Sequence, residues 1–125
     1  MAKNNTPLEK IEQINFCDYC RAKNIDVVST QNGFKMPKNS FNWVGYANTL
    51  KKMGMSKGFP DLIVLAKNKS QTHEVLFIEM KRIKGSTVQP EQKEWIEKLD
   101  NMDYCVGIAY GCDSAIRILD KYLES

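Results

Sequence analysis

The segment Val75–Lys81 reads VLFIEMK, four apolar residues followed by an acid and a base two positions apart. A run without apolar/polar alternation fits a strand covered on both faces, in the middle of a sheet. Strand side chains alternate, so Glu79 and Lys81 share one face while Ile78 and Met80 point to the other, into apolar packing. An ionised carboxylate at the end of a buried strand is expensive unless it is paired or bound to a cation. The rest of the chain must therefore supply a partner for Glu79.

That partner is legible just upstream. Asp61–Ala66 (DLIVLA) is a second apolar strand, reached through Gly58-Phe59-Pro60, and Lys67–Thr72 (KNKSQT) is a polar turn. If the two strands form an antiparallel hairpin, the start of the first lies beside the end of the second, and Asp61 sits next to Glu79 and Lys81. Asp is poorly suited to strand interiors. Two carboxylates so placed repel, and a hard divalent cation removes the repulsion; Mg²⁺ prefers oxygen ligands in octahedral geometry. The expected ligands are Asp61, Glu79, the backbone carbonyl of Met80 and waters. Such a metal polarises a phosphoryl oxygen and acidifies its water, while Lys81 orients that water and offsets charge at phosphorus. The residues alone leave a structural alternative open, in which Glu79 and Lys81 are an ion pair and Asp61 caps a turn.

Around this hairpin the periodicity predicts an α/β chain. Residues 8–22 are loosely helical, with apolar Leu8, Ile11, Ile14 and Tyr19, Thr6 as a cap and Pro7 at the first position. Ile25–Thr30 is a short β-branched strand. Residues 31–59 are broken by glycines and aromatics, including Phe34, Phe41, Trp43 and Tyr46, with one helical piece near 46–52. Pro90–Met102 is an amphipathic helix with Trp95, Leu99 and Met102 on one face. Tyr104–Tyr110 is a third apolar strand, and Ser114 caps a last helix over 115–123 with Ile116, Leu119 and Leu123 inward. At 125 residues, 42% hydrophobic and 26% charged, this is one domain with a central mixed sheet flanked by helices.

Charge narrows the partner. The net charge is only +3, but residues 50–93 hold nine Lys and Arg against four acids. A basic middle suits a polyanion, because phosphate neutralisation is the main sequence-independent term in nucleic-acid binding. Lys51, Lys52, Lys57, Arg82 and Lys84 are the candidate backbone contacts. KKMGMSKG around Gly54 does not satisfy the phosphate-loop pattern, so no nucleotide cofactor is expected. No membrane helix or secretory leader is expected, and four cysteines without a leader read as thiols of a cytoplasmic protein. Cys17, Cys20, Cys105 and Cys112 could form a zinc site only with an unusual second spacing. The lone His73 reads as a surface residue, and Trp43 and Trp95 as core.

Gly58-Phe59-Pro60-Asp61, then Glu79-Met80-Lys81, then Gln92 near the start of a helix, resemble the PD-(D/E)XK nucleases, and within them the virus-type replication-repair nuclease (VRR-NUC) domain. The intervals are 18 residues from Asp61 to Glu79 and 13 from Glu79 to Gln92. The resemblance runs from Leu8 to about Leu123. It implies the restriction-endonuclease-like fold and a Mg²⁺- or Mn²⁺-dependent endonuclease. It also implies a homodimer acting on branched DNA such as four-way junctions, with 5′-phosphate products. Asp61, Glu79 and Lys81 match the catalytic motif, and Gln92 the helix glutamine. A glutamate on the first helix is also implied; Glu9 is preferred because Gln13 follows one turn later, and Glu12 competes with it. Gly85–Gln89 departs from the family's usual lead-in. A non-catalytic nucleic-acid-binding module on the same scaffold is the alternative, although degenerate relatives usually lose one member of the acid set.

Overall fold

The computed structural model describes residues 6–30 and 43–125. The elements run α1 (Glu9–Ala22), β1 (Asp26–Ser29), α2 (Trp43–Lys52), β2 (Leu62–Leu65), β3 (Val75–Lys81), α3 (Pro90–Asn101), β4 (Cys105–Tyr110) and α4 (Cys112–Glu124). The sheet order is β1-β2-β3-β4. β1 with β2 and β2 with β3 are antiparallel, and β3 with β4 is parallel. This is the expected mixed sheet flanked by helices. The apolar run of β3 earns its central place, with every residue after Val75 buried.

The alternation of β3 divides the molecule. Leu76, Ile78 and Met80 join Leu62, Val64 and Ala109 on one face, where Phe16 and Cys20 of α1 and Ala115, Leu119 and Tyr122 of α4 complete the core. Phe77, Glu79 and Lys81 point the other way, toward α3. Phe59 bridges there, edge-on to both Phe77 (5.6 Å) and Trp95 (5.0 Å). Trp95 is thus part of a half-buried aromatic seam rather than the deep core, and its indole N–H donates to Ser56 Oγ at 2.9 Å. Leu99 is buried, whereas Met102 follows the helix end and is exposed.

Several boundaries and faces differ from the periodicity. α1 buries Glu12, Phe16 and Cys20, while Ile11 and Ile14 are exposed. The true inward stripe repeats every four residues and begins with a carboxylate, so the apolar pattern pointed to the wrong side. Leu8, not Thr6, is the N-cap residue. α4 starts at Cys112, two residues before Ser114, because Glu12 supplies the missing acceptor: its Oε2 takes the Cys112 N–H at 2.7 Å. A buried carboxylate at a helix N-terminus is stabilised by the exposed N–H groups and the helix dipole. Gly111 permits the approach, since its φ of +92° suits glycine and a Cβ there would collide with the Glu12 carboxylate and with Ile83. The helix predicted at 46–52 begins earlier, at Trp43. Phe34 and Phe41, with the rest of 31–42, lie outside the described residues.

The polar turn after β2 is organised by buried Asn68, which accepts the His73 N–H at 2.9 Å and donates to Thr72 Oγ1 at 2.8 Å. His73 is half-buried instead of a free surface residue, because its ring also reaches the Asp103 carbonyl at 3.0 Å. No helix among the described residues is long and apolar enough to cross a membrane.

The Glu12 contact predicts that Glu12→Ala destabilises the protein by about 1–3 kcal/mol, the range for losing a helix cap and leaving a buried N–H unpaired. Urea unfolding followed by circular dichroism measures this; an unchanged midpoint would show that water replaces the carboxylate without loss.

Candidate active site

β2 and β3 pair Leu62 with Ile78 and Ile63 with Phe77. One step beyond, the register sets Asp61 against Glu79. Here the ladder changes character. Pro60 offers only a carbonyl, and that carbonyl accepts the Thr30 hydroxyl at 2.7 Å. Thr30 also donates its N–H to the Asp61 carbonyl at 2.9 Å. The Met80 N–H, left without a strand partner, donates instead to Asp61 Oδ2 at 2.8 Å. In a strand the N–H and C=O of one residue lie on the same side, so the Met80 carbonyl is directed toward the Asp61 edge as well.

Glu79 is 2% exposed and Lys81 6%. Lys81 Nζ stands 3.8 Å from Glu79 Oε1, and that same oxygen accepts the Gln92 amide N–H at 2.5 Å. Gln92 is held in turn because its carbonyl accepts the Gln89 N–H at 2.8 Å, which fixes which end of the amide faces Glu79. The position of α3 depends on Gly58, whose φ of +88° leaves its α-carbon against the helix start; a Cβ would come within 2.5 Å of Glu91 backbone carbon.

The charges do not balance. Burial raises the Glu79 pKa to about 8, with the neighbouring Asp61 and Glu9 adding to the rise and Lys81 opposing it. Burial also raises Asp61, while the Met80 N–H, the Glu79 carboxyl and Lys81 pull it back. Of the two acids, Glu79 is therefore the one whose charged form burial disfavours enough to hold a proton near neutral pH. Glu79 Oε2 is buried and has no hydrogen-bond partner. Two carboxyls, a carbonyl on the same edge and an unsatisfied buried oxygen suit a hard cation with oxygen ligands.

The remaining sequence candidates divide. Glu9 acts on Glu79 through its charge, whereas the competing Glu12 is committed to the start of α4. Arg82, expected to face DNA, turns to the protein: its guanidinium donates to the Thr6 carbonyl at 2.6 Å and the Pro7 carbonyl at 3.1 Å, which ties the approach to α1, and so Glu9, to the end of β3. Lys57 lies 3.6 Å from Glu91 at the start of α3. Lys51 and Lys52 end α2 and are exposed, as is Lys84. The four cysteines are free, and among the described residues no three His, Cys, Asp or Glu side chains are grouped to hold one metal ion. Thr30 and the tethering role of Arg82 escaped the sequence reading. Thr30 was findable, since it follows β1 in register with Asp61.

A mixed sheet with an Asp at one strand start, Glu-x-Lys at the end of its neighbour and a helix glutamine bonded to that Glu is the arrangement of the PD-(D/E)XK-like nuclease fold. The VRR-NUC domain model matches residues 37–113, and the chain belongs to that family. A solved structure described as a VRR_NUC domain protein is similar over 95% of this chain and 90% of its own, with a TM-score of 0.68 and 26% identity. No curated protein gives a significant match. The family implies a nuclease-type function with DNA as the partner.

An acid protonated in the folded state up to about pH 8 but ionising at an ordinary 4.5 when unfolded makes folding weaken as pH rises through that window. Glu79→Gln, which cannot ionise, should therefore gain thermal stability relative to the parent between pH 5 and pH 8 in EDTA. Parallel melting curves test it, and a difference that stays flat with pH would contradict the buried-proton assignment.

Proposed function

We propose that the chain is a metal-dependent endodeoxyribonuclease that hydrolyses phosphodiester bonds to leave 5′-phosphates. The observation that carries this reading is half-buried Asp61 set against buried Glu79, with Glu79 Oε2 orphaned and Lys81 Nζ 3.8 Å from Glu79 Oε1. A structural ion pair would be fully hydrogen-bonded; this cluster has two carboxyls for one lysine and leaves Glu79 Oε2 without a hydrogen-bond partner.

Asp61, Glu79 and the Met80 carbonyl would hold Mg²⁺, or Mn²⁺ in its place, and the ion would supply Lewis-acid activation of phosphate and water. The protein's own groups do the rest. Gln92 fixes the Glu79 carboxyl in orientation. Lys81, desolvated beside the acids, positions the attacking water and offsets negative charge as it grows on the phosphoryl oxygens. Glu9 adds negative potential that favours cation binding. Lys51, Lys52, Lys57 and Lys84 contact the DNA backbone, while Arg82 serves by anchoring α1.

The substrate class follows from the family resemblance: branched DNA, four-way junctions among them, cut by a homodimer whose two sites act on opposite strands. Most closed oligomers are two-fold, as symmetric cutting requires. The four free thiols suit a cytoplasmic setting.

Glu79→Ala and Lys81→Ala are expected to lower Mg²⁺-dependent cleavage at least ~100-fold, the scale of losing a positioned charge or proton-transfer group, with far-UV circular dichroism unchanged. Gel assays on four-way, flap and linear DNA, with Mg²⁺ and with EDTA, measure it. Cleavage that survives both substitutions, or persists in EDTA, refutes the metal-hydrolase reading. Binding without cleavage by the parent protein would make it a non-catalytic module.

A further inference from the structure

The mouth of the site has an apolar side that hydrolysis does not require. β3 and β4 are parallel and end together, with Tyr110 in register with Lys81. Paired residues of adjacent strands project from the same face, about 4.8 Å apart, so Tyr110 stands beside Lys81 on the Glu79 face. Its predecessor Ala109 is fully buried on the core face, as the alternation demands, yet Tyr110 is 45% exposed. Ile83, 53% exposed, leans over Gly111, the residue that follows Tyr110. The Gly111 N–H donates to the Lys81 carbonyl at 2.9 Å and keeps the two strand ends joined. Tyr104, at the other end of β4, differs: its ring packs edge-on against Phe77 at 5.4 Å. Among the described residues no ring or cation covers Tyr110.

We infer that Tyr110 is a stacking surface for an unpaired nucleobase next to the scissile phosphate. This rests on the nuclease reading and narrows its substrate. A phosphate held at Lys81 brings its own nucleotide within reach of the neighbouring ring, and exposed Lys84, next in sequence to Ile83, supplies positive charge for the adjoining backbone. In continuous duplex both faces of each base are already stacked, so an aromatic wall at this place gains nothing. At a branch point, flap or fray a base face is open, and aromatic stacking rewards it without reading its identity. The wall therefore selects DNA shape at the cut.

The test uses the full chain with one DNA sequence built as a four-way junction, a flap and a linear duplex, each with 2-aminopurine beside the branch or at the matching duplex position. Binding is measured in Ca²⁺ by fluorescence, and cleavage in Mg²⁺. Tyr110→Leu should lower affinity for the junction and flap about tenfold, within the ~5- to ~150-fold that base–aromatic stacking carries. It should abolish 2-aminopurine quenching and raise KM more than it lowers kcat. Duplex affinity should not change, and Tyr110→Phe should behave as the parent. The inference is overturned if Tyr110→Leu matches the parent on branched DNA, if it weakens duplex and branched DNA equally, or if it changes the oligomeric state by light scattering, which would make the patch a subunit contact. Failure of the hydrolase reading looks different: the parent would not cleave in Mg²⁺, while Tyr110-dependent quenching would still be present.

Discussion

One backbone amide organises the polar end of this sheet. β3 runs past the start of β2, and the N–H of Met80 arrives where the ladder has ended. The acceptor a regular ladder would offer there, the Pro60 carbonyl, takes the Thr30 hydroxyl instead. The Asp61 carboxylate fills the gap at 2.8 Å. A buried N–H cannot go without a partner, so the same bond that ends the ladder also brings an acid against Glu79. The site is a by-product of how the sheet terminates.

The surrounding contacts hold that arrangement from several sides. Gln92 ties Glu79 to α3 and is itself tied to Gln89. Arg82 ties the lead-in of α1 to the strand end, and Glu12 ties α1 to the start of α4. These bonds join separate elements around the site, those of Gln92 to Glu79, Arg82 to Thr6 and Glu12 to Cys112 being part-buried, so their combined effect is rigidity. Rigidity matters because a buried Glu79 against a half-buried Asp61, with one lysine, is electrostatically unfavourable and relaxes unless its neighbours prevent movement. The fold spends some of its stability to keep negative charge out of water.

The hairpin, the placement of Asp61, Glu79 and Lys81, and the helix carrying Gln92 were readable because strand parity and turn length leave few choices. What escaped the sequence involved polar groups bonding to the backbone over long separations. Glu12 competed with Glu9 for the metal-facing place on the first helix, because helix periodicity counts apolar residues, and its reason for burial lies 100 residues away at Cys112. The start of α4 was misplaced for the same reason, with Ser114 the nearest capping type in sequence. Arg82 looked like a DNA contact from its charge alone, but two main-chain carbonyls of the α1 approach compete for its guanidinium. Trp95 followed the helix pattern to the interior and was found instead in a seam with Phe59, whose position depends on the loop before Asp61.

The parity of β3 works as a reading frame. Leu76, Ile78 and Met80 build the core while Glu79 and Lys81 build the site, on alternate residues of one seven-residue strand. Lengthening the turn between the strands leaves both sets intact. A single inserted residue between Leu76 and Ile78 would exchange them, sending carboxylate and ammonium into the oil and isoleucine to the mouth. Fold and chemistry would then be lost in one step, so this strand allows substitution far more readily than any change in its count.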